Sequence, residues 1–267
     1  MNVLVIGDIV GRPGRAIVKQ RLMALRKARQ IDFVVVNCEN AVDGAGITPS
    51  AADELLTAGA DVLTSGNHVW RKKEAIELVR KDPRVLRPAN YPQGTPGSGS
   101  YVGETLDGRK VGVLNVMGRI FMEPLDCPFR TAERELAALR QQTKVIIVDM
   151  HAEATSEKVA MGWFLDGKVS LVFGTHSHVP TADERLLPQG TAFITDVGMT
   201  GPYDSVIGRR VDQILERFLK QMPVHSDVAE GNVQLRGLLV SVDEATGKAT
   251  SVERVTEVLD AVVSRAE

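Results

Sequence analysis

A chain of 267 residues with 32 Lys and Arg against 34 Asp and Glu, 43% apolar and 4% aromatic, has the composition of a water-soluble globule, neither disordered nor collagenous. Its net charge of −2 withholds the broad attraction by which long nucleic acid or anionic lipid is held nonspecifically. Cys38 and Cys127 are too few for a disulfide scaffold and form no CxxC pair. With no signal-peptide pattern and no apolar run near the ~18–20 residues of a membrane span, the expected location is the cytoplasm, with no membrane partner.

In chain order, the apolar run Val3–Ile6 predicts a buried strand and Ala16–Arg29 an amphipathic helix. The strand Phe33–Val36 follows, then a helix over Ser50–Ala58 capped by Thr48, the strand Val62–Thr64 and a helix over Lys72–Val79. Arg87–Ser100, rich in Pro, Gly and Ser, reads as a surface connection within one domain. Tyr101–Leu106 and Lys110–Val116 flank the turn signal Asp107-Gly108 as a hairpin. Met117–Phe129, rich in Met and Phe, reads first as core packing, next as a subunit contact and third as a pocket for a base, which makes a homo-oligomer the expectation. Helices over Thr131–Arg140 and Thr155–Phe164 alternate with strands Val145–Val148 and Val169–Phe173. Two further hairpins pair Glu184–Leu187 with Thr191–Thr195 and Val233–Val242 with Ala249–Val255, before a terminal helix from about Thr256. The alternation predicts an α/β fold, a layered αββα-type sandwich of mixed sheets flanked by helices, as a single domain over 1–267.

The unusual polar residues lie just beyond the carboxyl ends of these strands, where ligands bind in open α/β sheets. Asp8 follows the first run, Glu39 and Asn40 the second, Asn67 and His68 the third, His151 the VIIVDM run, and His176 and His178 the LVFGT run. Four of the five histidines belong to this set. Imidazole, carboxylate and amide without thiolate suit Mn, Fe or Zn. Asp8, Glu39, Asn40, Asn67, His151, His176 and His178 exceed what one catalytic ion with an open position uses, which suggests two ions. Two divalent ions bring about +4, which Asp8, Glu39 and a hydroxide reduce to about +1, a site that attracts phosphate. Asp149 and Glu153 flank His151 and are candidates to orient it. Cys38 is expected to be a buried thiol, and His225, beside Pro223, a surface residue.

The strings GDIVGRPGR, NCENAVDGAGIT, TSGNHVW, DMHAEATSEK and GTHSHVPTADE resemble, in this order, the motifs of calcineurin-like metallophosphoesterases, and most closely the YmdB-type bacterial branch, a group associated with cyclic-nucleotide hydrolysis. The likeness runs from residue 1 to about Gly208. It implies that Asp8, Asn40 and His178 hold a first ion, that Glu39 bridges, that Asn67, His151 and His176 hold a second, and that His68 is a general acid. Two departures from the wider family are Val10, where it has His, and Glu39, where it has Asp.

The resemblance thus implies a phosphodiesterase with two divalent or mixed-valence metal ions, Fe or Mn first and Zn third. A hydroxide bridging the metals would attack phosphorus in line while His68 protonates the leaving oxygen. The expected substrate is a small phosphodiester or cyclic nucleotide, 2′,3′-cAMP or 3′,5′-cAMP. The scarcity of aromatic residues disfavours long nucleic acid. A phosphomonoesterase, a nuclease and a non-catalytic metal-dependent nucleotide binder remain the alternatives.

Overall fold

The computed structural model describes residues 1–259. In chain order the elements are β1 (Asn2–Ile6), β2 (Asp8–Ile9), α1 (Gly11–Ala28), β3 (Phe33–Asn37), α2 (Pro49–Thr57), β4 (Val62–Thr64), α3 (Ala75–Lys81), β5 (Ser100–Glu104), β6 (Lys110–Met117), α4 (Pro128–Leu139), β7 (Ile146–His151), α5 (Thr155–Leu165), β8 (Leu171–Thr175), β9 (Arg185–Leu186), β10 (Ala192–Ile194), β11 (Met199–Pro202), α6 (Val211–Lys220), β12 (Val233–Asp243) and β13 (Lys248–Val258). Among the described residues the strands form two mixed sheets, one ordered β2-β11-β12-β1-β3-β4 with β13 on β12, the other β5-β6-β7-β8-β10-β9.

Side-chain alternation along each strand builds the layers. Val3, Val5, Phe33, Val35 and Val62 of the first sheet meet Val111, Val113, Ile147, Leu171 and Phe173 of the second in a core between the sheets. Their neighbours Leu4, Ile6, Val34 and Val36 turn outward onto Ile17 and Leu22 of α1 and Leu55 of α2. On the other side Ile146, Val148 and Met150 face Leu136 of α4 and Met161 of α5. This is the expected αββα sandwich, and the strands read as apolar runs because both of their faces are covered.

The inner layer changes character toward one edge. β1, β3 and β4 are mutually parallel, as are β6, β7, β8 and β10. Along this shared direction the inward positions pass from Val35, Val62, Ile147 and Phe173 to Asn37, Thr64, Asp149 and Thr175, all fully buried. The apolar core thus ends in a buried polar floor, and the strand-end loops sit on it.

Several local expectations are corrected. α1 starts at Gly11, ahead of Ala16, because Pro13 is tolerated in a first helical turn and the Gly11 N–H is satisfied by Asn40 O at 2.9 Å. Arg87–Ser100 is not wholly a surface connection, since Arg87–Asn90 are buried and the Asn90 side chain bonds Met117 O and Asp126 O. Met117–Phe129 is core packing only at its ends and at Met122: Met117 is fully buried and Met122 and Phe129 pack against the core beneath α4 and α5, while Ile120 and Phe121 lie exposed. The helix expected from Thr256 gives way to β13 as far as Val258, and its remainder lies outside the described residues. β2, β11 and α6 are additions, α6 turning Leu215, Phe218 and Leu219 to solvent.

Asp8 follows a close backbone approach: a Cβ on Gly7 would stand 1.8 Å from Gly198 O. Gly7→Ala is expected to destabilise the fold by about 3 kcal/mol, read as a fall in the denaturant midpoint. An unchanged midpoint would show that this approach does not constrain the first sheet.

Candidate metal centre

The eight candidates come together at the carboxyl edge. Asp8 opens β2, Glu39 and Asn40 follow β3, Asn67 and His68 follow β4, His151 ends β7, and His176 and His178 follow β8. Ligand-type atoms of Glu39, His151 and His176 lie within 4.8 Å of one another, as do those of Asp8, Glu39 and His178. Glu39 belongs to both groups.

Hydrogen bonds fix which atoms face inward. His178 Nδ1–H donates to Ile207 O at 2.9 Å, so Nε2 turns a lone pair toward Asn40, 2.8 Å away. The Thr175 hydroxyl donates to Asp149 at 2.7 Å and therefore accepts from His151 Nδ1–H at 2.9 Å. His151 Nε2 then faces Glu39 Oε2 at 3.0 Å, Asn67 Oδ1 at 3.2 Å and His176 Nδ1 at 3.1 Å. His176 Nε2 lies 3.1 Å from Glu153, which accepts its proton and leaves Nδ1 as the inward lone pair. The two carboxylates that flank His151 thus divide their work: Asp149 reaches it through Thr175, and Glu153 orients His176 instead.

So many acceptors around one space require positive charge. Asp8 Oδ1 is buried without a hydrogen-bond partner, while Oδ2 accepts from His176 N–H at 3.2 Å. Burial lifts the Asp8 carboxyl to about 6 against the pull of His178 and His151. Burial also works to raise Glu39, but His151 and His68 hold it well below the usual carboxylate range. Burial opposes charge on His151, yet Glu39, Asp8 and Asp149 bring it up to about 9, while burial and the neighbouring His151 push His176 down to about 3. A donor set of imidazole, carboxylate and amide oxygen, with an orphaned carboxylate oxygen, fits divalent cations. Gly66 leaves the room: a Cβ there would meet His151 Nε2 at 2.1 Å and Glu39 Oε2 at 2.3 Å.

His68 stands at the rim, half-buried. Its Nδ1 lies 2.7 Å from Asn40 Oδ1, and Asn40 Nδ2 donates to Glu39 at 3.0 Å, which fixes the amide orientation and makes His68 Nδ1 the donor. Cys38, between these residues in sequence, is fully buried, and burial pushes its thiol up. His225 is exposed, as expected.

A buried ion pair, unexpected from the sequence, holds the last loop. Lys158 Nζ donates to Asp196 at 2.7 Å and to Thr175 O at 3.1 Å, and Asp196 also accepts from Ser177 N and Oγ. Between these anchors His176 and His178 adopt φ of 96° and 65°, a left-handed conformation that non-glycine residues enter only when their surroundings impose it. Met199 lines a shallow cavity beside His178.

The YmdB-like protein family matches residues 4–255. The 2′,3′-cyclic-nucleotide 2′-phosphodiesterase of Bacillus subtilis is 47% identical over 256 residues, with 96% of each chain covered. A hypothetical protein of Thermus thermophilus superposes with a TM-score of 0.90 at 41% identity, over 97% of this chain and 99% of its own. A structure described as a novel phosphatase from Mycoplasma pneumoniae does so with a TM-score of 0.90 at 36% identity, over 97% and 93%.

Asp196→Ala leaves Lys158 charged and buried without its partner. The expected cost is about 3–5 kcal/mol in denaturant unfolding, and Lys158→Met in the same background recovers part of it. Full stability of Asp196→Ala alone would contradict the clamp.

Proposed function

The chain belongs to the YmdB-like protein family, and from that premise we propose that it is a metal-dependent phosphodiesterase, a hydrolase of phosphoric esters acting on a small phosphodiester. The finer reading is a dinuclear centre that opens cyclic nucleotides, 2′,3′-cAMP ahead of 3′,5′-cAMP, an order supported by the name of the Bacillus subtilis relative. The observation that carries it is the double membership of Glu39 in two overlapping ligand groups.

Asp8, Glu39 and His178 would hold one cation, with Asn40 added through the Oδ1 lone pair that His68 leaves free, and Glu39, Asn67, His151 and His176 the other. Bound there, two ions of Fe or Mn, or of Zn as a third option, supply a water of lowered pKa and neutralise the phosphoryl oxygens. The chain's own residues prepare the rest. Thr175 and Asp149 hold His151 in the tautomer that offers Nε2, and the Ile207 carbonyl does the same for His178. His68 Nδ1–H is engaged by Asn40, so the imidazolium form of His68 would give up its second proton, the one on Nε2, to the departing alkoxide and be left as the Nδ1–H tautomer.

A phosphomonoesterase on the same residues is the second reading, favoured by the likeness to the Mycoplasma pneumoniae phosphatase. A cytoplasmic homo-oligomer completes the proposal. Exposed Leu215, Phe218 and Leu219 on α6 provide apolar area for a subunit contact, and no helix among the described residues is long and apolar enough to cross a membrane.

With added Mn, the protein is expected to turn over bis-p-nitrophenyl phosphate and 2′,3′-cAMP faster than p-nitrophenyl phosphate; monoester turnover alone would favour the second reading. Glu39→Gln and Asn67→Ala lose bound metal and activity together. His68→Ala keeps its metal and loses about 10²–10⁴ in kcat. Full turnover by His68→Ala on every diester tested would remove the general acid.

A further inference from the structure

The connection between β6 and α4 carries an aromatic ring that the site residues do not use. Phe121 is 88% exposed and has φ of 61°. In a chain with 7 Phe, the others with large exposure reduce to Phe218 on α6. An aromatic side chain held away from the core, in a left-handed backbone conformation, points to a use outside folding.

The loop is held rigidly from beneath. Buried Asn90 ties its two ends, its Nδ2 donating to Met117 O at 2.7 Å and to Asp126 O at 3.0 Å. The carboxylate of Glu157, itself buried, accepts from Arg119 N at 3.0 Å and Ile120 N at 3.3 Å, just before the ring. Gly118 N–H donates to the carbonyl of His151 at 2.9 Å, which joins the loop directly to the metal-site strand. None of these bonds uses the Phe121 side chain. The ring and Met122 line a cavity of about 380 Å³ whose remaining lining is Asn67, Glu123 and His176. Its lining therefore combines an apolar and aromatic part with residues of the candidate metal centre.

We propose that Phe121, backed by Met122, is the shelf on which the nucleobase of the substrate stacks while its phosphate lies at Asn67 and His176. The proposal deepens, and rests on, the phosphodiesterase reading of the site. A base has a π-face for the ring whatever its identity, so the shelf selects nucleoside phosphoesters over base-free ones without choosing strictly among bases. Glu123, in the same lining, offers an acceptor to an exocyclic amino group. A shelf of this kind suits one base beside one phosphate, in keeping with a small cyclic nucleotide.

The test is binding rather than turnover. Calorimetry on the Mn-loaded protein compares adenosine 5′-monophosphate with ribose 5-phosphate, neither of which is a phosphodiester. The wild-type protein is expected to bind the nucleotide about 10- to 100-fold more tightly. Phe121→Ala is expected to erase that preference and Phe121→Trp to keep it, with the thermal midpoint of both variants unchanged because the loop is anchored through Asn90 and Glu157. No wild-type preference, or an equal loss of both ligands in Phe121→Ala, overturns the shelf. A change of molar mass by light scattering in Phe121→Ala with the preference intact also overturns it and assigns the ring to a subunit contact. Retention of the predicted preference pattern by a protein that fails to hydrolyse any cyclic nucleotide would leave the shelf standing and remove the phosphodiesterase reading instead.

Discussion

Lone pairs and negative charge face one another around Glu39, and this concentration of acceptors is the constraint on which the site depends. His151 Nε2 and His176 Nδ1 stand 3.1 Å apart, Glu39 Oε2 lies 3.0 Å from the first of them, and Asp8 Oδ1 is buried with nothing to accept from. Such an arrangement is stable only with positive charge among the groups. Protonation of His151, favoured by the surrounding carboxylates up to about pH 9, supplies one unit of it. Divalent cations supply more, and the inward orientation of each ring nitrogen suits them better than it suits a single proton.

The sandwich makes this crowding affordable by fixing every member from behind. Strand alternation sends Asn37, Thr64, Asp149 and Thr175 to the same inner layer as Val35, Val62, Ile147 and Phe173, so a hydrogen-bonded polar floor continues the apolar core without a gap. Asn37 and Thr64 of one sheet bond Asp149 of the other, at 3.0 and 2.5 Å. The two sheets are thereby locked at the edge where both deliver ligands. The Lys158–Asp196 pair then holds the His176–His178 turn in a conformation its own backbone disfavours. Removal of water from these polar groups is offset only while every partner is present, which is why they act as a unit.

Much of this was legible in the residues. Apolar runs of three to five residues followed by Asp, Asn, Glu or His located the strands and the edge where the site lies, because a strand buried on both faces reads as a continuous apolar run. The three hairpins followed from their turn residues and are present as β5–β6, β9–β10 and β12–β13. What periodicity does not carry is distance between elements far apart in sequence. Glu153 is two residues from His151 yet serves His176, because β7 ends at His151 and Glu153 lies in the bend that follows it, off the strand's alternation. Lys158, with an amphipathic helix around it, looks like a solvent-facing position and is buried by a carboxylate 38 residues away. The two-residue β2 and the four-residue β11 are too short to show any period, and exist because they pair with each other beside Asp8. α6 did have helical spacing at Val211, Ile214, Leu215 and Phe218, and its exposed apolar face shows that such a pattern marks amphipathicity, not burial within the chain.

Anomalous diffraction from crystals soaked in Mn tests the central claim most directly. The account predicts two peaks per chain, one among Asp8, Asn40 and His178, the other among Asn67, His151 and His176, with Glu39 reaching both. A single peak, or manganese bound elsewhere while Asp8 Oδ1 stays unpartnered, would contradict it.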